Sequence, residues 1–309
     1  IRQGRNPELR EMPTFTFSDH AREVIEKHYA NKRSGWWAKL NIEKHMILFF
    51  GDMLLGAITP EKIVNYRTRR LGQGVAHGTV NNERAILSKV FTLAIDWERL
   101  SYNPVKKVGK LEQPAGRLRY LERPEADSLI GASPAHIRPV IIIALETGGR
   151  LSEVLGLKLD DLDFHRSILY FDQTNTKSGR QREIPMTPML VDTMHVMLKV
   201  RPLARTLKHV FIRHGKPMRD VRTAFTKARQ RAGLGKDVTF HTLRHTFASW
   251  YVMDGGDLYR LQKLLGHATI AQTQKYAHLA PEYMKSAVQH MGLRHKTATI
   301  PRTREASAS

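Results

Sequence analysis

Two short segments hold most of the side chains in this sequence that could do chemistry. In Thr147-Gly148-Gly149-Arg150-Leu151-Ser152-Glu153 an arginine follows a glycine pair and has a carboxylate one helical turn further on. In His241-Thr242-Leu243-Arg244-His245 the side chains of His241, Arg244 and His245 fall within about one turn, and Leu265-Gly266-His267, Thr273 and Tyr276 follow downstream. A guanidinium fork matches the oxygens of a phosphate and keeps its charge at any ordinary pH. Imidazoles exchange protons near neutrality, and a phenol becomes a nucleophile once a base or a positive field draws off its proton. Each residue alone has a plainer explanation. Arg150 and Glu153 suit a surface ion pair, Lys177 a solvated turn, the histidines a half-buried structural pair, and Tyr276 simple packing. Zinc fits poorly: His241 and His245 have the i, i+4 spacing of a metalloprotease helix, but Thr242 stands where its general-base glutamate belongs.

For these groups to meet, particular elements must carry them. From Phe15 to Leu100 the pattern is helical, with Ala21, Val24, Ile25 and His28 at the i, i+3, i+4, i+7 places of one face. Thr59-Pro60-Glu61 reads as cap, first-turn proline and first-turn acid, and Thr79 as the start of a long helix burying Leu87, Val90, Phe91 and Ala94. Asn103-Pro104 is expected to end that helix. The stretch from there to Arg119 has Lys106, Lys107, Lys110, Pro114, Gly116 and Arg117 without apolar period, and reads as a basic linker. Helical patterns resume near Leu121 and at Ser133-Pro134, the second running through Val140–Leu145 to a stop at Gly148-Gly149. Ser167–Phe171 and Gln181–Pro185 are strand candidates flanking a polar hairpin turn that carries Lys177. From Pro188 onward the pattern is helical again, interrupted by the strand-like Val210-Phe211-Ile212, and the polar tail after His295 reads as disordered. The fold class expected is mainly α with a small antiparallel β-sheet.

The 309 residues include 50 Lys+Arg against 29 Asp+Glu, a formal net charge of +21. Such a surplus favours a polyanionic partner, because each neutralised phosphate releases condensed counterions. Nucleic acid fits first and an anionic membrane surface second, with a basic, solvated exterior as the plain alternative. The absence of cysteine excludes disulfides, thiolate metal sites and cysteine nucleophiles. The longest aliphatic run, Val140–Leu145, is far too short to span a bilayer, so no membrane role is expected. Opening on Ile1 rather than Met leaves room for a further module ahead of it.

Taken in order, Thr147–Glu153, Lys177 in a hairpin, His241-x-Leu243-Arg244-His245, Leu265-Gly266-His267 and Tyr276-Ala277-His278 resemble the tyrosine recombinases, also called the phage integrase family. The resemblance is specific from about residue 119 to 290, and the helical part before it matches by pattern only. Gly149 departs from the pattern, since the family more often has a larger apolar residue there. The resemblance implies an N-terminal segment (1–12), a helical core-binding, DNA-binding domain (13–104), the basic linker (105–119), a mixed α+β catalytic domain (120–292) and a tail (293–309).

It also implies a site-specific recombinase that works on double-stranded DNA through a 3′-phosphotyrosine, with no cofactor and no metal. Arg150 and Arg244 would clamp the scissile phosphate, Tyr276 would attack it, and His241 would act as base or proton acceptor. Lys177 would be the general acid for the leaving 5′ oxygen, and His267 would hydrogen-bond the phosphate. Glu153 would orient Arg150 or brace the site, while His245 would pack beside the helix without reacting. A homotetramer on paired DNA sites is implied, with accessory DNA-bending or directionality proteins and a cytoplasmic, nucleoid-associated location. The amphipathic segment 281–291 would dock on a neighbouring protomer, although docking on its own chain fits equally well. Two rivals stand beside this expectation: a type IB topoisomerase-like DNA-relaxing enzyme, and a regulator of the same fold that binds DNA without cutting it.

Overall fold

The computed structural model describes residues 15–32, 35–112, 118–171, 181–199 and 208–280. They fall into two compact units, one up to residue 116 and the other from 117 onward.

The first unit is all helical. Helix α1 (Phe17–Val24) starts at Thr16, whose side chain accepts from the Asp19 backbone N–H at 3.1 Å. It buries Phe17, His20, Ala21 and Val24, one turn earlier than the stripe expected from sequence. The reason is a π-helical turn over Ile25–Tyr29, which rotates the following residues and leaves Ile25 and His28 only half-buried. Helix α2 (Gly35–Asn41) continues through a second π turn, Ile42–Met46, into α3 (Ile47–Phe50), burying Ala38, Ile42, Met46 and Phe50. Helix α4 (Pro60–Gly72) has the expected Thr59 cap and first-turn proline. Helix α5 (His77–Asp96) begins two residues before Thr79 and stops well short of Asn103, where Glu98 turns to a φ of 57°. Glu83 of α5 is fully buried but paired, accepting from the Tyr66 hydroxyl at 2.8 Å and from the Arg70 guanidinium at 2.7 Å.

The stretch expected to be linker from 105 onward is partly core. Pro104–Lys107 form a 3₁₀ turn, and Val105 and Val108 are buried in the first unit. Arg84 of α5 holds the segment by donating to the carbonyls of Val105 and Val108. The lysines that made this stretch look like a linker, Lys106 and Lys107, are its exposed face.

In the second unit α6 (Arg123–Ala132) and α7 (Arg138–Thr147) precede a short helix, α8 (Leu151–Leu155). Helix α7 begins later than Ser133-Pro134, and it buries every residue from Val140 to Leu145, which explains its unbroken apolar run. Strands β1 (Leu162–Asp163), β2 (Ile168–Phe171) and β3 (Arg182–Pro185) form an antiparallel sheet in that order, with Leu169 opposite Ile184 and Phe171 opposite Arg182. After α9 (Pro188–Lys199) comes a small hairpin of β4 (Ile212–Arg213) and β5 (Lys216–Pro217), turned by His214 and Gly215 at φ 50° and 70°. Helices α10 (Arg222–Arg231), α11 (Phe240–Met253) and α12 (Leu258–Leu265) follow, then 3₁₀ turns at Ile270–Gln272 and Gln274–Leu279. Both units together are mainly α with small antiparallel sheets, the class expected. Among the described residues no helix is long and apolar enough to cross a membrane.

Candidate active site

Three chain reversals in the second unit bring the chemical residues together. The first is the end of α7. Gly148 caps it at φ 62°, and a Cβ there would stand 2.6 Å from the Phe247 ring and 2.8 Å from Leu265. At Gly149 a Cβ would meet Phe171 at 2.6 Å and Val154 at 2.8 Å. That crowding accounts for the departure noted at this position: Phe171 of β2 occupies the space a larger residue would fill. The close approach delivers Arg150 to the N-cap of α8. There Glu153 accepts from the Arg150 backbone N–H at 2.8 Å and from its guanidinium at 2.7 Å.

Helix α11 forms the second wall. His241, Arg244 and His245 all leave its first two turns. Arg244 is 2% exposed and donates to the carbonyls of Gly148 at 2.9 Å and Leu265 at 2.7 Å. These are the C-terminal ends of α7 and α12, where aligned peptide dipoles concentrate negative partial charge.

The third reversal ends α12 at Gly266, φ 64°. His267 follows, its Nδ1 2.8 Å from the hydroxyl of the fully buried Thr273. Tyr276 lies on the 3₁₀ turn beyond, with no exposed surface, packed with Ala248, Val252, Leu261 and Leu265. Its hydroxyl is 2.7 Å from His245 Nδ1, and His241 meets the His245 ring edge-on with centroids 4.7 Å apart. His245 therefore does not merely pack beside the helix as the sequence suggested: it is the side chain touching the tyrosine oxygen, and His241 stands behind it on the exposed rim.

One participant escaped the sequence reading. Arg182, on β3, is buried, donates to Glu153 and to the Leu264 carbonyl, and stacks on Phe171 with 4.8 Å from guanidinium to ring centroid. In sequence it lies at the end of a strand candidate, where a charged residue reads as outward-facing. The only available signal was period: Arg182 and Ile184 are both on the buried face. Lys275 is a second such residue, with its ammonium 5.1 Å from the centroid of the Tyr276 ring. Lys177 and the segment 281–291 lie outside the described residues.

The electrostatics are those of a site short of negative charge. Among the described residues, Arg150, Arg182 and Arg244 share one carboxylate, Glu153, through direct or relayed contacts. Burial, and then the neighbouring Arg150 and Arg182, bring the Arg244 guanidinium down to about 9. Burial also lowers Arg182, against the pull of Glu153. His245 is held down to about 3 and His267 to about 4, by burial first and surrounding cations second, so both are neutral at pH 7. Burial pushes Tyr276 up to about 12, with Arg244 drawing it the other way. A phosphodiester anion would relieve the cationic surplus and could accept from the Arg150 and Arg244 guanidiniums.

Two family profiles match the chain: the phage integrase family over residues 119–283 and the phage integrase N-terminal domain over residues 19–112. The chain belongs to the phage integrase family. It is a tyrosine-class, site-specific DNA recombinase. The integrase of Escherichia phage P2 is 26% identical over 306 residues, covering 91% of this chain and 84% of its own. Tyrosine recombinase XerD of Lacticaseibacillus casei is 33% identical over 230 residues, covering 70% of this chain and 76% of its own. Among solved structures, the Tn1549 transposon integrase in complex with a circular intermediate DNA has a TM-score of 0.75 at 22% identity, covering 90% of this chain and 100% of that one. A lambda integrase tetramer bound to a Holliday junction has a TM-score of 0.71 at 21% identity, covering 87% and 83%. For this integrase the N-terminal profile runs to residue 112, matching the unit in which Val105 and Val108 are core.

Proposed function

We propose that this recombinase cuts one DNA strand by attack of the Tyr276 hydroxyl oxygen on a phosphate held by Arg150 and Arg244. The observation that carries this is the convergence of the Tyr276 hydroxyl, His245, His241 and His267 beside two guanidiniums that lack a full complement of anions. A P–O bond to tyrosine forms and the P–O5′ bond breaks, leaving a 3′-phosphotyrosine and a 5′-hydroxyl. The phenolic proton passes to the His241–His245 pair, and Lys177 supplies a proton to the departing 5′ oxygen. A bound phosphate anion raises the proton affinity of the imidazoles, which burial first and the surrounding cations second hold down. His267, fixed by Thr273, donates to a non-bridging oxygen, and Glu153 sets the direction of Arg150. The bond energy stored in the tyrosine ester lets a second DNA strand displace the enzyme without ATP.

Tyr276 is fully buried, so the turn Gln274–Leu279 must shift outward before an in-line attack. DNA binding is the event expected to drive that shift. The assembly proposed is four protomers on two DNA sites, supported by the lambda integrase tetramer and by the family membership, with accessory DNA-bending or directionality proteins where the site requires them. The place of action is the nucleoid, in the cytoplasm.

The test uses nicked suicide DNA carrying the candidate attachment site from beside the gene. A denaturation-resistant adduct that maps to Tyr276 by peptide sequencing is the expected result. Tight binding of a verified site with no adduct, or an adduct on another residue, overturns the assignment.

A further inference from the structure

The clamp arginines are joined by a closed circuit of contacts in which Arg182 is the one member without an assigned role. Arg244 donates to the Gly148 and Leu265 carbonyls. Arg182 donates to the adjacent Leu264 carbonyl and to Glu153. Glu153 in turn holds the backbone and guanidinium of Arg150, two residues along from Gly148. We propose that Arg182 is a positioning residue for the phosphate clamp, setting Arg150 through Glu153 and the seat of Arg244 through the end of α12. This rests on Arg150 and Arg244 being the groups that hold the scissile phosphate.

Three observations point to positioning rather than filling of space. Burying a guanidinium is costly, and here its Nε has no hydrogen-bond partner, so the side chain is retained for its two outer arms. Those arms reach two different elements, the α8 N-terminus and the α12 C-terminus, and only a fork can do that from one strand position. The α12 end is shaped around it: a Cβ on Gly266 would lie 2.5 Å from Arg182 Cδ. Without Arg182 the Glu153 carboxylate, whose side chain has no exposed surface, keeps Arg150 as its one cationic contact among the described residues, and Arg150 is drawn inward away from the phosphate.

Arg182→Lys and Arg182→Met would be compared with the wild type and with Arg150→Ala on suicide DNA. Each substrate would carry either an ordinary phosphate or a methylphosphonate at the cleavage position, the latter lacking one charged oxygen and so asking less of a cationic clamp. Both Arg182 variants should bind the site within about threefold of wild type, form adduct about tenfold or more slowly on phosphate, and recover to within about threefold on methylphosphonate, alongside Arg150→Ala. Equal slowing on both substrates while Arg150→Ala recovers overturns the proposal. So does an unchanged rate on phosphate, or loss of the melting transition in both variants, since Arg182 would then serve only the fold. Failure of Arg150→Ala itself to recover removes the clamp assignment, and the proposal with it.

Discussion

Arg244 makes plain why charge alone is not enough in this site. Its guanidinium spans two helix ends through two separate N–H groups, 2.9 and 2.7 Å from their carbonyls. An ammonium cannot reach both and still face a phosphate. Arg244→Lys is therefore expected to slow adduct formation by about a hundredfold or more while site affinity changes little, as read from single-turnover cleavage and filter binding. A rate within a few-fold of wild type would contradict this. The histidines carry a second prediction. His245 and His267 sit near 3 and 4 when folded, below the ordinary histidine value of 6.5. The unfolded chain takes up protons as pH falls below that ordinary value while the folded chain does not, so the stability they contribute is complete above about pH 6.5 and is lost progressively toward the folded values. Melting temperature should fall from about pH 7 to about pH 5, and His245→Asn should flatten the slope. An unchanged slope in that variant would assign the acid sensitivity elsewhere.

At the scale of elements, the site is made by helix ends rather than helix faces. The ends of α7 and α12 bring their glycines against neighbouring side chains, and α8 is so short that Glu153, which accepts from the N-cap Arg150 backbone, also holds the Arg150 guanidinium. Gly149 is where this geometry is most exposed to change. A valine there would press on Phe171 and Val154, and overpacking of that kind costs about 1 to 3 kcal/mol. Gly149→Val should lower the unfolding free energy from urea melts by that amount and move Arg150 out of register, cutting adduct formation as well. Stability equal to wild type would mean that α8 shifts as a unit to make room. The element boundaries least visible in sequence have physical causes of the same sort. The π turn after Val24 leaves no compositional mark, and the segment 104–108 was masked by lysines that lie on its exposed side.

For the whole molecule the dominant property is charge. A surplus of +21 on 309 residues makes DNA association strongly dependent on salt. If about eight phosphates are neutralised, the logarithm of the association constant should fall against log salt with a slope of about −7, for target and non-target DNA alike. A slope near zero would place recognition in base contacts alone. The first unit, with its own core around Phe17, Phe50, Phe91 and Leu87, and the second, with its core around Val140–Leu145 and Leu243, each satisfy the burial a domain needs.

The members of the candidate site were legible in order and spacing, because Arg150, Glu153, His241, Arg244, His267 and Tyr276 are polar types at fixed offsets beside glycines that end helices. Helical character was legible too, through apolar period and proline placement. Tertiary structure alone decided which histidine touches Tyr276, because both leave the same helix turn and only the packing of the following turn against α11 selects between them. It alone revealed Arg182 as a partner of Glu153, since the contact joins residues 29 apart in the chain. Spacing within one helix is set by local geometry and can be read from sequence. A meeting between a strand, a helix start and a helix end depends on how all three pack, and no local pattern encodes it.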